Sequence, residues 1–244
     1  MIKRFIIFIF AFVFACAPAA YASEYSFNNF YNNVDVDNLK PFTKDLSGLL
    51  GAGTFTTGRI LGWGGFMLSG RAAVMPGASD KNTAFGNEGS YKIYPWIQGE
   101  IGLPFRLDGY IRASSYDGLT VSGGGIKWGV VRPMEILYTF QPMVLIAADS
   151  GVHKHFSLTH YSADFVVSWR LPYVIPYIGG GVDHAKLTVQ NAQDSSLIGR
   201  TVHTTTPRGT LGLNFKLPSY MDLSLAANYA NYGVGGEASL GVRF

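Results

Sequence analysis

The sequence predicts an all-β fold, an antiparallel up-and-down transmembrane β-barrel of about ten strands with a short helical segment ahead of it. Three observations carry this reading. Ten segments from residue 64 onward alternate apolar and polar side chains with a period of two. The connections between these segments alternate in character. The composition, with 30 glycines, 17 phenylalanines, 14 tyrosines, four tryptophans and 14% charged residues, departs from that of soluble domains. In a barrel wall glycine lets strands bend and interior side chains fit, while Trp and Tyr belong at the two bilayer interfaces.

Residues 1–22 have the three zones of an export signal: Lys3 and Arg4, an apolar run over 5–15, and Ala20-Tyr21-Ala22 as an A-x-A cleavage site. The apolar run is too short to span a bilayer, which takes about 20 residues. A second reading makes Cys16 a lipidated cysteine after Val13-Phe14-Ala15, but Phe14 is bulky for that motif, and Cys16 reads better as a small apolar residue of the signal. Removing residues 1–22 takes two of the 19 basic residues and none of the 16 acidic ones, leaving 17 against 16. So balanced a charge offers no basic patch for nucleic acid. The one cysteine leaves with the signal, so neither disulfides nor thiolate chemistry is expected. No apolar stretch after residue 22 has the length of a spanning helix, and a closed sheet is then the way for this chain to cross a membrane.

Residues 23–63 do not read as strand. After the Asn-rich stretch 23–33, Leu39, Phe42, Leu46, Leu49 and Leu50 recur three and four apart, the spacing of a short amphipathic helix. Two roles stand open for this segment, an ordered periplasmic element or a plug across the barrel mouth. The strands then follow at about 64–75, 94–103, 108–115, 119–131, 137–148, 156–170, 174–189, 202–216, 220–231 and 236–244. In the sixth, Tyr161, Ala163, Phe165, Val167 and Trp169 form a lipid-facing row, opposite His160, Ser162, Asp164, Ser168 and Arg170. In the ninth, Met221, Leu223, Leu225, Ala227 and Tyr229 stand opposite Asp222, Ser224 and Asn228.

Even-numbered connections fall at Leu103-Pro104-Phe105, Val131-Arg132-Pro133, Leu171-Pro172-Tyr173 and Leu217-Pro218-Ser219, each short and each with proline. The two longest connections, 76–92 and 190–201, are odd-numbered. Short periplasmic turns and longer outer loops produce this alternation, with both termini in the periplasm. A soluble β-sandwich would also alternate apolar and polar residues, but it accounts neither for aromatic residues at strand ends nor for the parity of the turns. Two places resist regular pairing. If Tyr177 faces lipid, unbroken alternation puts Asp183 there too, so a bulge is expected near Gly179-Gly180-Gly181. Pro142 likewise calls for a bulge or a later strand start.

The last eight residues place Ala238, Leu240, Val242 and Phe244 on one apolar face. A chain that begins with a secretory signal and stops on such a strand resembles the bacterial outer-membrane β-barrel proteins. That resemblance implies that Phe244 is part of the signal read by the barrel-insertion machinery. The family usually has glycine five residues before this aromatic and a second aromatic two before it, where this chain carries Ser239 and Val242.

Phosphate-cradling glycine loops, HExxH and GxSxG are absent. Three groups of residues could nevertheless carry chemistry. His155 and Ser157 flank Phe156, an arrangement that resembles the His and Ser of outer-membrane lipases and lipid A deacylases. In those enzymes serine attacks an acyl ester and histidine takes its proton. The histidine also needs an orienting side chain, for which Asp183 serves only if it faces lipid. A hairpin centred on Pro172 would set His160 opposite His184, and two imidazoles on adjacent strands could hold a transition metal or join an interior hydrogen-bond network. The polar faces carry Arg71, Glu100, Asp108, Arg112, Lys127, Asp164, Arg170, Lys216, Asp222, Glu237 and Arg243, both signs in similar number. Such charges either pair within a filled lumen or line a water-filled passage. Barrels of about eight strands are filled by side chains and open channels have about sixteen, which puts about ten near the closed end.

The expectation is therefore a signal peptide over 1–22, a periplasmic or lumenal plug segment over 23–63 and an outer-membrane barrel over 64–244. The chain would be exported through the general secretory pathway and work as a monomer among outer-membrane lipids, without cofactor, metal or nucleic acid. Its role would be structural or the slow passage of small solutes. A lipid-modifying hydrolase using His155 and Ser157 is the alternative.

Overall fold

The computed structural model describes residues 24–86, 89–133 and 136–244. The export signal, its cleavage site and Cys16 lie outside the described residues. Ten strands close into one antiparallel barrel: β1 (Phe66–Met75), β2 (Lys92–Leu103), β3 (Leu107–Tyr116), β4 (Leu119–Gly129), β5 (Phe140–Val152), β6 (Phe156–Trp169), β7 (Val174–Val189), β8 (Thr201–Leu217), β9 (Met221–Ala230) and β10 (Gly233–Arg243). Each strand pairs with its sequence neighbours, and β1 pairs with β10 to close the ring. Closure leaves no edge strand unpaired, the condition for a sheet to sit in lipid.

The predicted parity holds on the outer wall. Ile97, Ile111, Ile146, Phe165, Ile178 and Leu211 are among the exposed apolar residues, while His160, Asp164, Ser168, Asp222, Ser224 and Asn228 are buried inside. The even-numbered connections form one end of the barrel, the turn end. Each presents an exposed aromatic residue, Phe105, Tyr138, Tyr173 and Tyr220 in turn, beside Phe244. Exposed aromatic residues in a ring at one end are the pattern expected where a barrel meets a bilayer interface. The backbone bends sharply for it: Phe105-Arg106 and Ser219-Tyr220 are consecutive left-handed pairs with φ between 59° and 66°. That conformation matches hairpin twist but costs non-glycine residues about 1–3 kcal/mol each.

Several expectations need correction. The β6–β7 and β7–β8 ladders run without interruption through Gly179, Gly180 and Gly181, so no bulge occurs there. Tyr177 is itself a lumen residue, and unbroken alternation from it carries Asp183 inside. Pro142 also sits in a continuous ladder, opposite Val167, and its carbonyl accepts from the Val130 N–H. Because β5 starts at Phe140, the β4–β5 connection covers 130–139 and is not short. Residue 24, the first described, and residue 244 do not share an end. Glu24 bridges to Tyr91 beside the start of β2, whereas Phe244 exchanges hydrogen bonds with Phe66 at the turn end.

Candidate functional site

Residues 24–65 cross the lumen once, from the loop end, which carries connections 76–91 and 190–200, to the turn end. At the loop end the Phe27 N–H donates to Asp117 Oδ2 at 2.7 Å, and Lys92 Nζ donates to the same carboxylate at 2.6 Å. A short turn, α1 (Phe30–Asn33), precedes α2 (Leu39–Gly51), which packs inside against β7 and β8. Lower down, Thr57 Oγ1 donates to Ser168 Oγ, the Leu61 N–H donates to Asp108 Oδ2, and the Gly64 N–H donates to the Gly102 carbonyl.

The helix seats for two reasons legible in its residues. Phe42, Leu46, Leu49 and Leu50 are fully or almost fully buried, each burial worth about 1.5–3 kcal/mol before ordering entropy is counted. Two glycines also let it touch the wall. A Cβ on Gly48 would lie 2.6 Å from Ala230 Cβ, and one on Gly51 would lie 2.5 Å from Asp183 Oδ1 and 2.6 Å from Arg208 Nε.

A polar latch holds the helix to the loops. Asp45 is fully buried on α2; its Oδ2 accepts from the Ser79 N–H (2.9 Å), Ser79 Oγ (2.8 Å) and Asn82 Nδ2 (2.7 Å), and its Oδ1 from Asn231 Nδ2 (2.6 Å). One carboxylate thus ties the helix to the β1–β2 and β9–β10 connections. His153, in the β5–β6 connection, packs against Phe27 and Phe156. Burial, assisted by neighbouring His155 and Lys154, pushes its pKa down to about 4.

The interior is layered. Toward the loop end the lumen wall is apolar: Met75, Tyr94, Leu119, Phe156, Leu158 and Leu187 enclose α1 and α2. At mid-height lie the charges. Arg112 donates to both oxygens of Asp149, whose Oδ2 also meets His160 Nδ1 at 2.9 Å. His160 Nε2 is 3.4 Å from Asp183 Oδ1, and Arg208 joins Asp183 (3.0 Å) to Asp164 (2.8 Å). Below, Glu100 takes Arg71 and, at 2.6 Å, Lys127. Two of these cations also hold the segment: Arg112 Nη2 donates to the Leu50 carbonyl and Arg71 Nη1 to the Gly53 carbonyl, each at 2.8 Å.

Of the residues singled out from sequence, Arg71, Glu100, Arg112, Lys127, Asp164, Arg170 and Asp222 are buried on the lumen side, and Arg243 is half-buried, 3.5 Å from Asp222. The proposed histidine pair is not formed. His184 is opposite Tyr161, and His160 opposite Ala185, because the hairpin centre lies one register step from the expected one. A shift of one residue reverses the facing side, so His160 points into the lumen and His184 outward, where its Nδ1 meets Thr205 Oγ1. Among the described residues no cluster of three or more His, Cys, Asp or Glu could hold a metal. Nor do His155 and Ser157 come together. Ser157 is on the outer face of β6, the His155 ring is buried and packs at a tilt against Tyr31, and Asp183, which was to orient the histidine, faces the lumen.

Sequence reasoning missed the apolar upper lumen and the Asp45 latch. The first had a signal: Phe156 and Leu158 share the parity of His160 and Ser162, so apolar residues occupy the inner face at that end of β6. The latch had none, since its partners lie 34, 37 and 186 residues away in the chain.

No protein-family model matches the sequence, and no curated protein is similar to it. Solved structures are similar in fold. The N-terminal β-barrel domain of Pseudomonas aeruginosa OprF aligns over 75% of this chain and 99% of its own, at 13% identity and TM-score 0.37. The KdgM porin, solved in complex with disordered oligogalacturonate, aligns over 73% and 99% at 6% identity and TM-score 0.39. Ail, the attachment invasion locus protein of Yersinia pestis, aligns over 75% and 99% at 16% identity and TM-score 0.34. The chain is a closed ten-stranded antiparallel β-barrel, and its structural neighbours are bacterial outer-membrane β-barrel proteins.

Proposed function

We propose that this protein is an outer-membrane barrel kept shut by its own residues 24–65, and that small solutes pass slowly when the segment leaves its seat. The supporting observation is the path of that segment, which fills the lumen from the loop end to the turn end and is tied to the wall at each level. A permanent filler would need only apolar packing. Here the upper hold is also polar, with Asp45 shared between two outer connections and Asp117 taking the Phe27 N–H, and hydrogen bonds of that kind can be released locally.

In this reading the protein is exported by the general secretory route and works as a monomer surrounded by outer-membrane lipid. It reaches the membrane through the insertion machinery, with exposed Phe244 as part of the signal that is read. The test is single-channel recording in planar bilayers on three proteins: the native chain, Asp45→Ala, and a deletion of residues 24–53. Brief openings in Asp45→Ala and sustained conductance in the deletion are expected. If all three are silent while the barrels are folded, passage is refuted and a structural role remains.

A further inference from the structure

We infer that the upper lumen is a binding cup for a long-chain carboxylate, an amphiphile with one hydrocarbon chain and an anionic head, and that α2 occupies this cup as an internal stand-in. The inference rests on the gated reading above and names the class of solute the gate admits.

The cup is defined by its walls. The loop-end wall is mainly apolar, with Met75, Tyr94, Leu119, Phe156, Leu158 and Leu187 facing inward, Thr204 and Thr206 of β8 as buried polar side chains among them, and the hydroxyl of Tyr94 committed to the Leu119 carbonyl. A sugar or other polyhydroxy solute moving past α2's position would lose its water and meet few partners, chiefly the Thr204 and Thr206 hydroxyls, and each group left unsatisfied costs several kcal/mol. A hydrocarbon chain loses nothing there. α2 has 13 residues, about 20 Å of helix, so the space it fills is long and narrow.

The floor supplies the head-group chemistry. α2 ends on the charged layer, with its C-terminal carbonyls, the negative pole of a helix, pointed at guanidinium groups. Arg112 Nη2 donates to Leu50 O and Arg71 Nη1 to Gly53 O. Arg112 is 3% exposed, and its Nη1 has no hydrogen-bond partner among the described residues. A buried guanidinium donor left open is costly, and a carboxylate is the acceptor whose geometry fits a guanidinium edge. When the segment withdraws, two carbonyl acceptors leave together, and a carboxylate head at the same place takes over their donors while its chain lies along the apolar wall. The helix therefore presents what the ligand would present: an apolar body with oxygen acceptors at its lower end.

The experiment uses a reversible lock and a lumenal reporter. Asp45→Cys with Asn231→Cys, in a chain carrying Cys16→Ser, sets two thiols on either side of the contact that now joins loop and helix, each one atom shorter than the side chain it replaces, so a short bis-methanethiosulfonate bridge pins the segment in the oxidised state and reduction frees it. Trp63, Trp128 and Trp169 are exposed and are changed to Phe, leaving Trp96, 3% exposed and 4.2 Å from the Arg112 guanidinium, as the reporter. In nanodiscs, 9,10-dibromostearic acid should quench Trp96 in the reduced protein and at least tenfold less in the oxidised one. The corresponding dibromo alcohol, which lacks the anionic head, should bind at least tenfold more weakly than the acid. Arg112→Gln combined with Asp149→Asn, so that neither charge is buried alone, should erase that difference. The acid-versus-alcohol comparison stands without this variant.

Opening is read on the same protein by protease cleavage of residues 24–50. If reduction exposes the segment and the acid still fails to quench Trp96, the cup is not a fatty-acid site and the gate survives. Equal quenching by acid and alcohol refutes the head-group assignment, and quenching by brominated phospholipid in the oxidised protein shows bilayer contact in place of a lumenal site. If reduction does not expose the segment, the gate fails and the inference fails with it.

Discussion

Asp45 and His153 show how much of the closed state rests on single side chains at the loop end. Four donors converge on the Asp45 carboxylate, and hydrogen bonds to a charged group are worth about 1.5–3 kcal/mol each. Asp45→Ala should therefore weaken the seating by on the order of 3 kcal/mol. The measurable consequence is faster proteolysis within 24–50, with the barrel's own thermal unfolding changed far less; equal protection of the segment in both proteins would show that the latch is idle. His153 makes the same region sensitive to acid. Its folded pKa, about 4, lies below the ordinary histidine value near 6.5, so the folded state binds fewer protons than the unfolded one between those values. Its contribution is complete above about pH 6.5 and is lost as pH falls toward 4. Protection of residues 24–50 should decline across that window in the native protein, and His153→Phe should flatten the decline.

At the level of elements, α2 and β7 were the hardest to place. The spacing of Leu39, Phe42, Leu46, Leu49 and Leu50 was enough to identify a helix, since burial of one face imposes that period wherever the helix lies. Its location was not legible, because an apolar stripe does not name its partner. The close approach at Gly51 supplies an element-scale prediction. Gly51→Leu would push a side chain into the Asp183–Arg208 pair, so the helix end must lift. The variant should remain a folded barrel while its segment becomes protease-sensitive and its conductance rises, both measured against Gly53→Leu. Position 53 has open space around a Cβ but a φ of 71°, which makes it a control for backbone strain without wall collision. β7 was misread by one face because Tyr177 was given to lipid. Its ring lies inside against Phe55, and its hydroxyl meets Ser224 Oγ at 2.9 Å, partners that come from the plug segment and from β9.

For the whole molecule, the segment's single crossing sets residue 24 and residue 244 at opposite ends of the barrel. In the proposed outer-membrane setting the turn end, which lacks the long connections 76–91 and 190–200, is expected on the periplasmic side. Lys81→Cys, on the exposed β1–β2 connection, should react with an impermeant thiol reagent on intact cells, and Ser219→Cys only after the outer membrane is opened. The reverse pattern would invert the topology and put the Asp45 latch on the periplasmic side.

All ten strands and their antiparallel order were legible in the chain, because each strand must satisfy water-excluded lipid on one side and a packed interior on the other, and that requirement writes a period of two into the residues themselves. The inward placement of Glu100, Arg112, Asp164 and Asp222 follows from the same parity. What folding added is everything that depends on distant residues meeting. The register of β6 on β7 separated His160 from His184. Convergence of α2 with two outer connections made a latch of Asp45. The position of α2 along the barrel axis turned inner-face apolar residues such as Phe156 and Leu158 into the wall of a cup. Local sequence records which environment each side chain prefers; it does not record which of several equally apolar or equally polar partners, tens of residues away, will supply it.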